Sequence, residues 1–317
     1  MALKQRLKRY LPEPVQAQGR KLYPALRIAD SLVHSRWCWS HTVEDYYPIT
    51  PRSRWTPQTL PSKLLYKVID ANRSHYERFL DTLQGNRQLL HSIPHQQSGD
   101  QPYWDNSWFT ALDAAALVNM LAGGKARRYM EIGSGHSTRF ARYTIDALGL
   151  QTTLTSIDPM PRAGIDRLCT TTIRKPLEEC DPAIVDELEA GDILFYDGSH
   201  RAFGNSDVTV FLLEVLPRLK PGVFVHIHDI FLPDDYPSHW SKRLYNEQYM
   251  LAAMLLCKPP FRVVAPVAFI TNDADLRSRV KDIFAVPGGE DIPLLYPEYR
   301  GPSTTGGSFW VEMLSTD

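Results

Sequence analysis

The sequence predicts an α/β protein built on a doubly wound, mostly parallel sheet, and three observations carry that prediction. From residue 128 onward, short apolar runs alternate with segments of helical period, the signature of repeated βαβ units. A glycine-rich turn, Gly133-Ser-Gly135, follows the first of these runs directly. Carboxylates stand at the ends of the first two runs, Glu131 and Asp158. A hydrophobic fraction of 43% over 317 residues is ample for the core such a sheet needs.

Along the chain, Met1 to Leu11 is basic, with Leu3, Leu7, Tyr10 and Leu11 at helical spacing among Lys4, Arg6, Lys8 and Arg9. No apolar stretch follows, so it reads as a terminal helix packing on its own domain rather than a secretory signal. Weak contact with a membrane surface is the alternative. Residues 1–104 form an N-terminal extension, partly helical and rich in Pro, Arg, Trp and Tyr. Within it Leu64–Leu90 has a helical pattern, with Leu64, Leu65, Val68, Ile69, Tyr76, Phe79, Leu80 and Leu83 as the buried face. A second helix spans Ser107–Leu121 and stops at Gly123-Gly124.

The strands predicted beyond it are Arg128–Ile132, Thr152–Ile157, Thr171–Arg174, Ile193–Tyr196, Val223–Ile227, Phe261–Val264, Val267–Ile270 and Ser308–Met313. As short apolar runs they suit strands covered on both faces. Helices are predicted between them at Ser137–Leu148, Pro161–Leu168, Pro182–Leu188, Asp207–Leu219, Ser241–Leu256 and Ala274–Phe284. The proline- and glycine-rich excursion Ala285–Gly307 leads into the last strand. Four scattered cysteines form neither a metal knuckle nor a disulfide framework, and a reducing cytoplasm is the expected compartment. A formal net charge of −1, without a basic-aromatic stripe, gives no footprint for nucleic acid.

In a doubly wound sheet, ligands sit at the carboxyl ends of the strands. Glycines at 133 and 135 let the backbone approach such a ligand, and Ser137 or Thr138 can cap the helix that follows. A dinucleotide fold asks for a third glycine, so that a pyrophosphate can dock on the helix N-terminus. Here Thr138 stands in that place. Glu131, two residues before the turn, would repel a pyrophosphate and suits a cationic ligand such as the amino end of S-adenosylmethionine. Asp158, 27 residues after Glu131, is placed to accept from ribose hydroxyls in either kind of fold.

These residues resemble the class I S-adenosylmethionine-dependent methyltransferases. Glu131-Ile-Gly-Ser-Gly-His-Ser-Thr138 is similar to that family's first motif and Ser156-Ile-Asp-Pro159 to its second. The resemblance continues through Asp197-Gly-Ser-His200 and His226-Ile-His-Asp-Ile-Phe231, and covers about residues 105–270. Gly306-Gly-Ser-Phe-Trp310 is similar to the entry of the final strand. Together they resemble a bacterial subgroup whose substrates are uncharacterised. The resemblance implies a seven-stranded, Rossmann-like sheet with its last strand antiparallel, in an S-adenosylmethionine-binding domain over residues 105–317. It implies Glu131, Gly133 and Gly135 at the methionine end of the cofactor and Asp158 at the ribose. Ser134, Ser137, Thr138 and Asp197 complete the expected cofactor set.

The fourth and fifth strands deliver Asp197, His200, His228 and Asp229 to the same sheet edge, beside the expected methyl donor. His226 shares a face with His228, deeper in the strand, and is expected to be structural. Two chemistries compete. In one, Asp197, His228 and Asp229 hold a divalent metal, as resemblance to catechol-type and sugar-modifying O-methyltransferases suggests. Histidine would shift the preference away from magnesium. In the other, no metal is held, His200 or His228 acts as a general base, and Asp197 completes the catalytic set. The expected function is methyl transfer to an oxygen or nitrogen of a small molecule, such as a sugar or secondary metabolite. The alternatives are a nicotinamide-dependent oxidoreductase and a non-catalytic binding module of the same fold. The sequence leaves the oligomeric state open.

Overall fold

The computed structural model describes residues 51–161, 164–294 and 306–315. The basic segment expected to be helical at Met1–Leu11 lies outside them. The chain divides into two compact units, 1–51 and 52–317. Residues 52–104 belong to the same compact unit as the sheet. The reason is burial, since Leu65, Ile69, Tyr76, Leu80 and Trp104 join the main hydrophobic core.

Helices α1 (Leu60–Asp70) and α2 (Arg73–Gly85) replace the single helix expected there. Pro61 sits in the first turn of α1, where a missing N–H costs nothing. The break falls at Asn72, whose side-chain amide donates back to the Val68 carbonyl (3.3 Å), a local bond that competes with the helix ladder. The Tyr76 hydroxyl donates to the Ile69 carbonyl across the break (2.8 Å). Leu65, Ile69, Tyr76, Phe79, Leu80 and Leu83 are buried as expected, whereas Leu64 is exposed. A short α3 (Arg87–His91) follows, then α4 (Ala111–Ala122).

Seven strands form one sheet: β1 (Arg128–Ile132), β2 (Thr153–Ile157), β3 (Thr171–Ile173), β4 (Ile193–Tyr196), β5 (Phe224–Ile227), β6 (Phe261–Pro266) and β7 (Phe309–Met313). Their order is β3-β2-β1-β4-β5-β7-β6. The first five are parallel, and β7 enters antiparallel between β5 and β6. This is the mostly parallel, seven-stranded Rossmann-like sheet expected. β1, β4 and β5 end level. Asp197 N donates to Ile132 O (2.9 Å) and His228 N to Tyr196 O (3.0 Å).

Helix α5 (His136–Ala147) follows β1. Helix α6 starts at Asp207–Val210 and runs on through a π-helical turn, Phe211–Val215, and a 3₁₀ turn, Leu216–Arg218. The helix expected at Ser241–Leu256 is divided. A 3₁₀ turn over Ser238–Arg243 ends at Leu244, which adopts a left-handed conformation, and α7 begins afresh at Glu247 and runs to Leu256. The strand expected at Val267–Ile270 is instead helix α8 (Val267–Asn272). That run is buried on every side, so it carries no period to separate helix from strand. Helix α9 (Ala274–Phe284) is capped by Asp273, whose carboxylate accepts from the amides of Asp275 and Leu276. Among the described residues no helix is long and apolar enough to cross a membrane.

Candidate active site

The first loop is held from below. Glu131 is fully buried at the end of β1 and takes hydrogen bonds on both oxygens, from the Tyr129 hydroxyl (3.1 Å) and the Thr138 hydroxyl (2.5 Å). Thr138 in turn accepts from the Gly135 amide (3.0 Å), so the carboxylate ties the strand to the first turn of α5. Burial raises the Glu131 carboxyl from its ordinary 4.5 to about 7, against the lowering effect of the Ser137, Thr138 and Tyr129 hydroxyls. The group expected to face a cationic ligand thus lies beneath the loop that would carry it.

The two glycines have different tasks. Gly133 adopts φ +80°, and a Cβ there would stand 1.9 Å from the Asp197 carbonyl oxygen. Only glycine lets the first loop close against the end of β4. Gly135 is extended, and a Cβ there would meet nothing within 4 Å. Its missing side chain leaves open space above the start of α5, the kind of backbone cradle a nucleoside ligand needs. The second strand contributes Asp158, whose carboxylate accepts from the amides of Ser134 (2.8 Å) and Met160 (2.8 Å). The Ser134 hydroxyl meets that of Ser156 (2.7 Å). All the cofactor residues expected from sequence therefore gather at the carboxyl ends of β1 and β2, with Asp197 beside them on β4.

The fourth and fifth strands bring a compact ionic cluster to the same edge. Ser199 donates through its amide and its hydroxyl to Asp207 at the start of α6, and no side chain fits at Gly198, where a Cβ would stand 2.1 Å from that carboxylate. His200 adopts φ +61° and is buried. Its Nδ1 lies 2.5 Å from Glu247 Oε1 on α7. Its Nε2 lies 3.2 Å from Asp197 Oδ1 and 3.5 Å from Asp229 Oδ2. Burial alone would lower the His200 pKa, but Glu247, Asp229 and Asp197 together hold it well above the ordinary histidine value. His228 Nε2 stands 3.7 Å from Asp229 Oδ1. Its pKa is also raised, the carboxylates of Asp197 and Asp229 outweighing burial. Asp197 is the most open member, with its side chain 38% exposed. Burial opposes its ionisation, yet His228 and His200 keep its carboxyl well below the usual range. Asp229, 16% exposed, goes the other way: burial pushes its carboxyl up.

Two expectations change here. Neither ring nitrogen of His200 is free to take a proton, since both face carboxylates and must donate. The expected metal set of Asp197, His228 and Asp229 is not arranged around a shared point; His200 Nε2 instead faces both aspartates, at 3.2 and 3.5 Å. Among the described residues no group of three or more His, Cys, Asp or Glu side chains is arranged to hold a metal ion. His226 is structural, as expected. It is fully buried, stacks on Phe195 at 3.8 Å, and pairs through Nε2 with the Ser308 hydroxyl (2.7 Å). Two participants were not expected. Glu247 sits in a segment predicted only as helix. Asp113, near the start of α4, accepts from the Thr110 hydroxyl and from the amides of Gly307 and Ser308 (2.7, 3.2 and 2.7 Å).

Comparison with known proteins finds one family model and a set of similar solved structures. Residues 130–230 match a family model described as a methyltransferase domain, which bears out the resemblance read from the motifs. Similar solved structures include a Podospora anserina methyltransferase with bound S-adenosylhomocysteine, at 14% identity over 74% of this chain and 88% of that one (TM-score 0.38). Another is the Streptomyces achromogenes O-methyltransferase of tomaymycin synthesis in complex with S-adenosylmethionine (13%, 81% and 100%, TM-score 0.38). A third is a Bacillus cereus O-methyltransferase with S-adenosylhomocysteine (14%, 75% and 91%, TM-score 0.37). No curated protein sequence matches the chain.

The buried carboxyl of Glu131 makes a prediction about stability. The folded protein keeps a proton on Glu131 that the unfolded chain releases above pH 4.5, so stability falls as the pH rises from 4.5 toward 7. The loss is on the order of 3 kcal/mol. Glu131→Gln keeps the shape and removes the charge, so urea unfolding at pH 5 and pH 7.5 should show that part of the slope abolished. An unchanged slope in the variant would refute the assignment.

Proposed function

We propose that the chain transfers the methyl group of S-adenosylmethionine to an oxygen or nitrogen of a small-molecule acceptor. One observation carries this reading: the open cradle at Gly135 and the cluster of Asp197, His200, His228 and Asp229 share one sheet edge, joined where Gly133 meets the Asp197 carbonyl. A donor site and a proton-handling site are thereby contiguous. The sheet order supports the same reading over a nicotinamide-dependent oxidoreductase. A dinucleotide sheet runs parallel in the order 3-2-1-4-5-6, whereas here an antiparallel β7 stands between β5 and β6.

In this reading the cofactor supplies a sulfonium-borne methyl, displaced in line by the acceptor. The protein's own part is placement and proton management. The loop Gly133–Gly135 gives backbone approach, and Asp158 keeps lone pairs for the ribose beyond the two amides it already serves. Holding donor and acceptor at reacting distance supplies most of the acceleration such a displacement needs. An oxygen or nitrogen acceptor must also shed a proton. His200 faces carboxylates with both ring nitrogens, and the carboxylates of Asp197 and Asp229 favour the charged form of His228, so that proton is assigned to a carboxylate. Asp229 is the one suited: its raised pKa makes it a better proton acceptor than an ordinary aspartate. Asp197, kept ionised and more open, orients the acceptor's hydroxyl or amine hydrogens. The acceptor class favoured is accordingly a hydrogen-bond donor, of which a sugar or a hydroxylated metabolite is an instance.

Titration calorimetry tests the donor. S-adenosylmethionine or S-adenosylhomocysteine should bind and NAD should not; the reverse preference would overturn the proposal. Gly135→Ala should leave the melting temperature unchanged, because its Cβ meets nothing, and yet weaken cofactor binding at least tenfold. Gly133→Ala should instead destabilise the fold, since its Cβ has no room.

Asp229→Asn tests the chemistry. It should lower kcat by about 10²–10⁴-fold with cofactor affinity retained. In the wild type, activity should fall on the acid side as Asp229 takes up its proton. Full activity in the asparagine variant would remove Asp229 from the mechanism.

A further inference from the structure

The cluster has a member that no motif announces. Glu247 opens helix α7, forty-seven residues beyond His200 and outside both strand-end motifs. It is almost completely buried. One carboxylate oxygen meets His200 Nδ1 at 2.5 Å, while the other, Oε2, is buried without a partner. Burying a carboxylate with half its hydrogen-bonding capacity unused is expensive, and a neutral side chain would fill the space at lower cost. Something in the arrangement requires the charge.

The rest of the first turn of α7 is committed to the same place. Asn246 donates its amide to the His200 carbonyl (2.9 Å) and accepts from the Ala202 amide through its side chain (2.6 Å). Gln248, fully buried, accepts from the Phe231 amide (2.9 Å), and its own amide donates to the Tyr236 hydroxyl (3.2 Å). Three consecutive residues therefore bind, in turn, the loop after β4, the ring of His200 and the loop after β5. Asn246 and Gln248 fix backbone. Only Glu247 fixes the imidazole.

We infer that Glu247 is a positioning residue of the acceptor site, holding the His200 ring so that Nε2 stays between Asp197 and Asp229. The ring has two nitrogens and three carboxylate neighbours. With Nδ1–H given to Glu247, the ring plane is set and Nε2–H points to the two aspartates at 3.2 and 3.5 Å. That donor keeps the two carboxylates at a fixed separation. Without the Glu247 charge, Nδ1 loses its charge-assisted bond, keeps at best a weaker neutral acceptor, and the imidazole can turn about χ2. Asp197 and Asp229 then lose the group that bridges them. Glu247 touches neither reacting atom, so its effect is felt through His200. This inference rests on the methyl-transfer reading for its kinetic consequence only; the pairing itself stands apart from it.

The experiment has two arms on the full chain. Nitrogen-15 NMR of histidine-labelled protein reads the His200 ring directly, assigned with His200→Asn. In the wild type both ring nitrogens should be protonated. In Glu247→Gln, whose amide oxygen is a weaker acceptor, the Nδ1 resonance should shift and its proton should exchange faster, whereas Glu247→Asp should restore part of the signature. A His200 spectrum identical in wild type and Glu247→Gln would overturn the inference, whatever the protein methylates. The second arm is kinetic, with an acceptor that the wild type methylates. Glu247→Gln should lower kcat by about 100-fold, the scale of a roughly 1 Å misplacement. Its KM for S-adenosylmethionine and its melting temperature should stay near wild type, and Glu247→Asp should recover part of the rate. Parallel loss of cofactor affinity, stability and rate would show a merely structural role and overturn it. An absence of methyl transfer in the wild type would refute the methyl-transfer reading and leave the NMR arm to decide the pairing.

Discussion

The carbonyl oxygen of Asp197 leaves no room for a side chain at residue 133, and the site depends on that contact. It forces the loop after β1 to close on the end of β4, with Gly133 in a conformation that other residues rarely adopt. The Gly133 amide donates to the Ile157 carbonyl, which fixes the same loop against β2 (3.0 Å). The ends of β2, β1 and β4 are thereby locked level, and β5 joins them through the bond from His228 N to Tyr196 O. Residues that lie 24 or more positions apart in sequence become neighbours because the strand ends are flush. An open backbone cradle on one side of Gly133 and an ionic cluster on the other follow from this single steric constraint.

The cluster's cost is considerable. Asp197, Asp229 and Glu247 bring three carboxylates to one edge, against the imidazoles of His200 and His228. Each ion would be unfavourable alone, and they persist because opposite charges alternate: His200 donates to Glu247 through Nδ1 and faces both aspartates through Nε2, and His228 stands beside Asp229. His200 and Asp229 also hold left-handed backbone conformations, with φ +61° and +56°. Each costs about 1 kcal/mol or more, although histidine and aspartate tolerate this region better than most residues. Such expenditure concentrates where a fold does chemistry. The Glu131 carboxyl shows the same trade on the donor side. Its burial opposes stability near neutral pH, and in exchange it anchors both the strand and the helix that bound the cradle.

Much of this was legible in the sequence because it is local. Strand, glycine turn and helix follow one another directly over residues 128–147, so the period change and the glycines mark the first loop without any tertiary knowledge. Asp158, Asp197 and His228 are likewise found by counting to the ends of apolar runs. What escaped depends on distance or on environment. Glu247 lies in a helix start with nothing nearby to distinguish it from a solvated glutamate, and only the docking of α7 makes it a partner of His200. The orientation of Glu131 was also hidden. A sequence places a carboxylate next to a loop, but whether it faces a ligand or the Thr138 hydroxyl is a matter of rotamer and packing. Likewise the spacing of Asp197, His228 and Asp229 is compatible with a cation, and only the tertiary fold shows that His200 Nε2 faces both aspartates. Val267–Ile270 was read as strand because four apolar residues have no period of their own. Pro266 ends β6 and stands at the N-cap of the helix that takes up this run.

The antiparallel strand that sets this sheet apart from an all-parallel dinucleotide fold has a chemical consequence of its own. Because β7 runs against β5, its entry, Gly306-Gly-Ser308, arrives at the carboxyl end of β5 rather than at the far side of the sheet. Gly307 then lies against Asp229 so closely that a Cβ would stand 2.9 Å from the Asp229 Cα, and its carbonyl accepts from the Ile230 amide (2.8 Å). Asp113, at the start of α4, pins Gly307 and Ser308 in turn, and Ser308 pairs with His226. The backbone of Asp229 is therefore clamped from the β7 side while its carboxylate is held from the β4 side by His200. A parallel strand in that position would bring its amino end to the opposite edge and leave residue 229 without this support. The topology that identifies the fold is thus also what holds the proposed proton acceptor in its strained geometry.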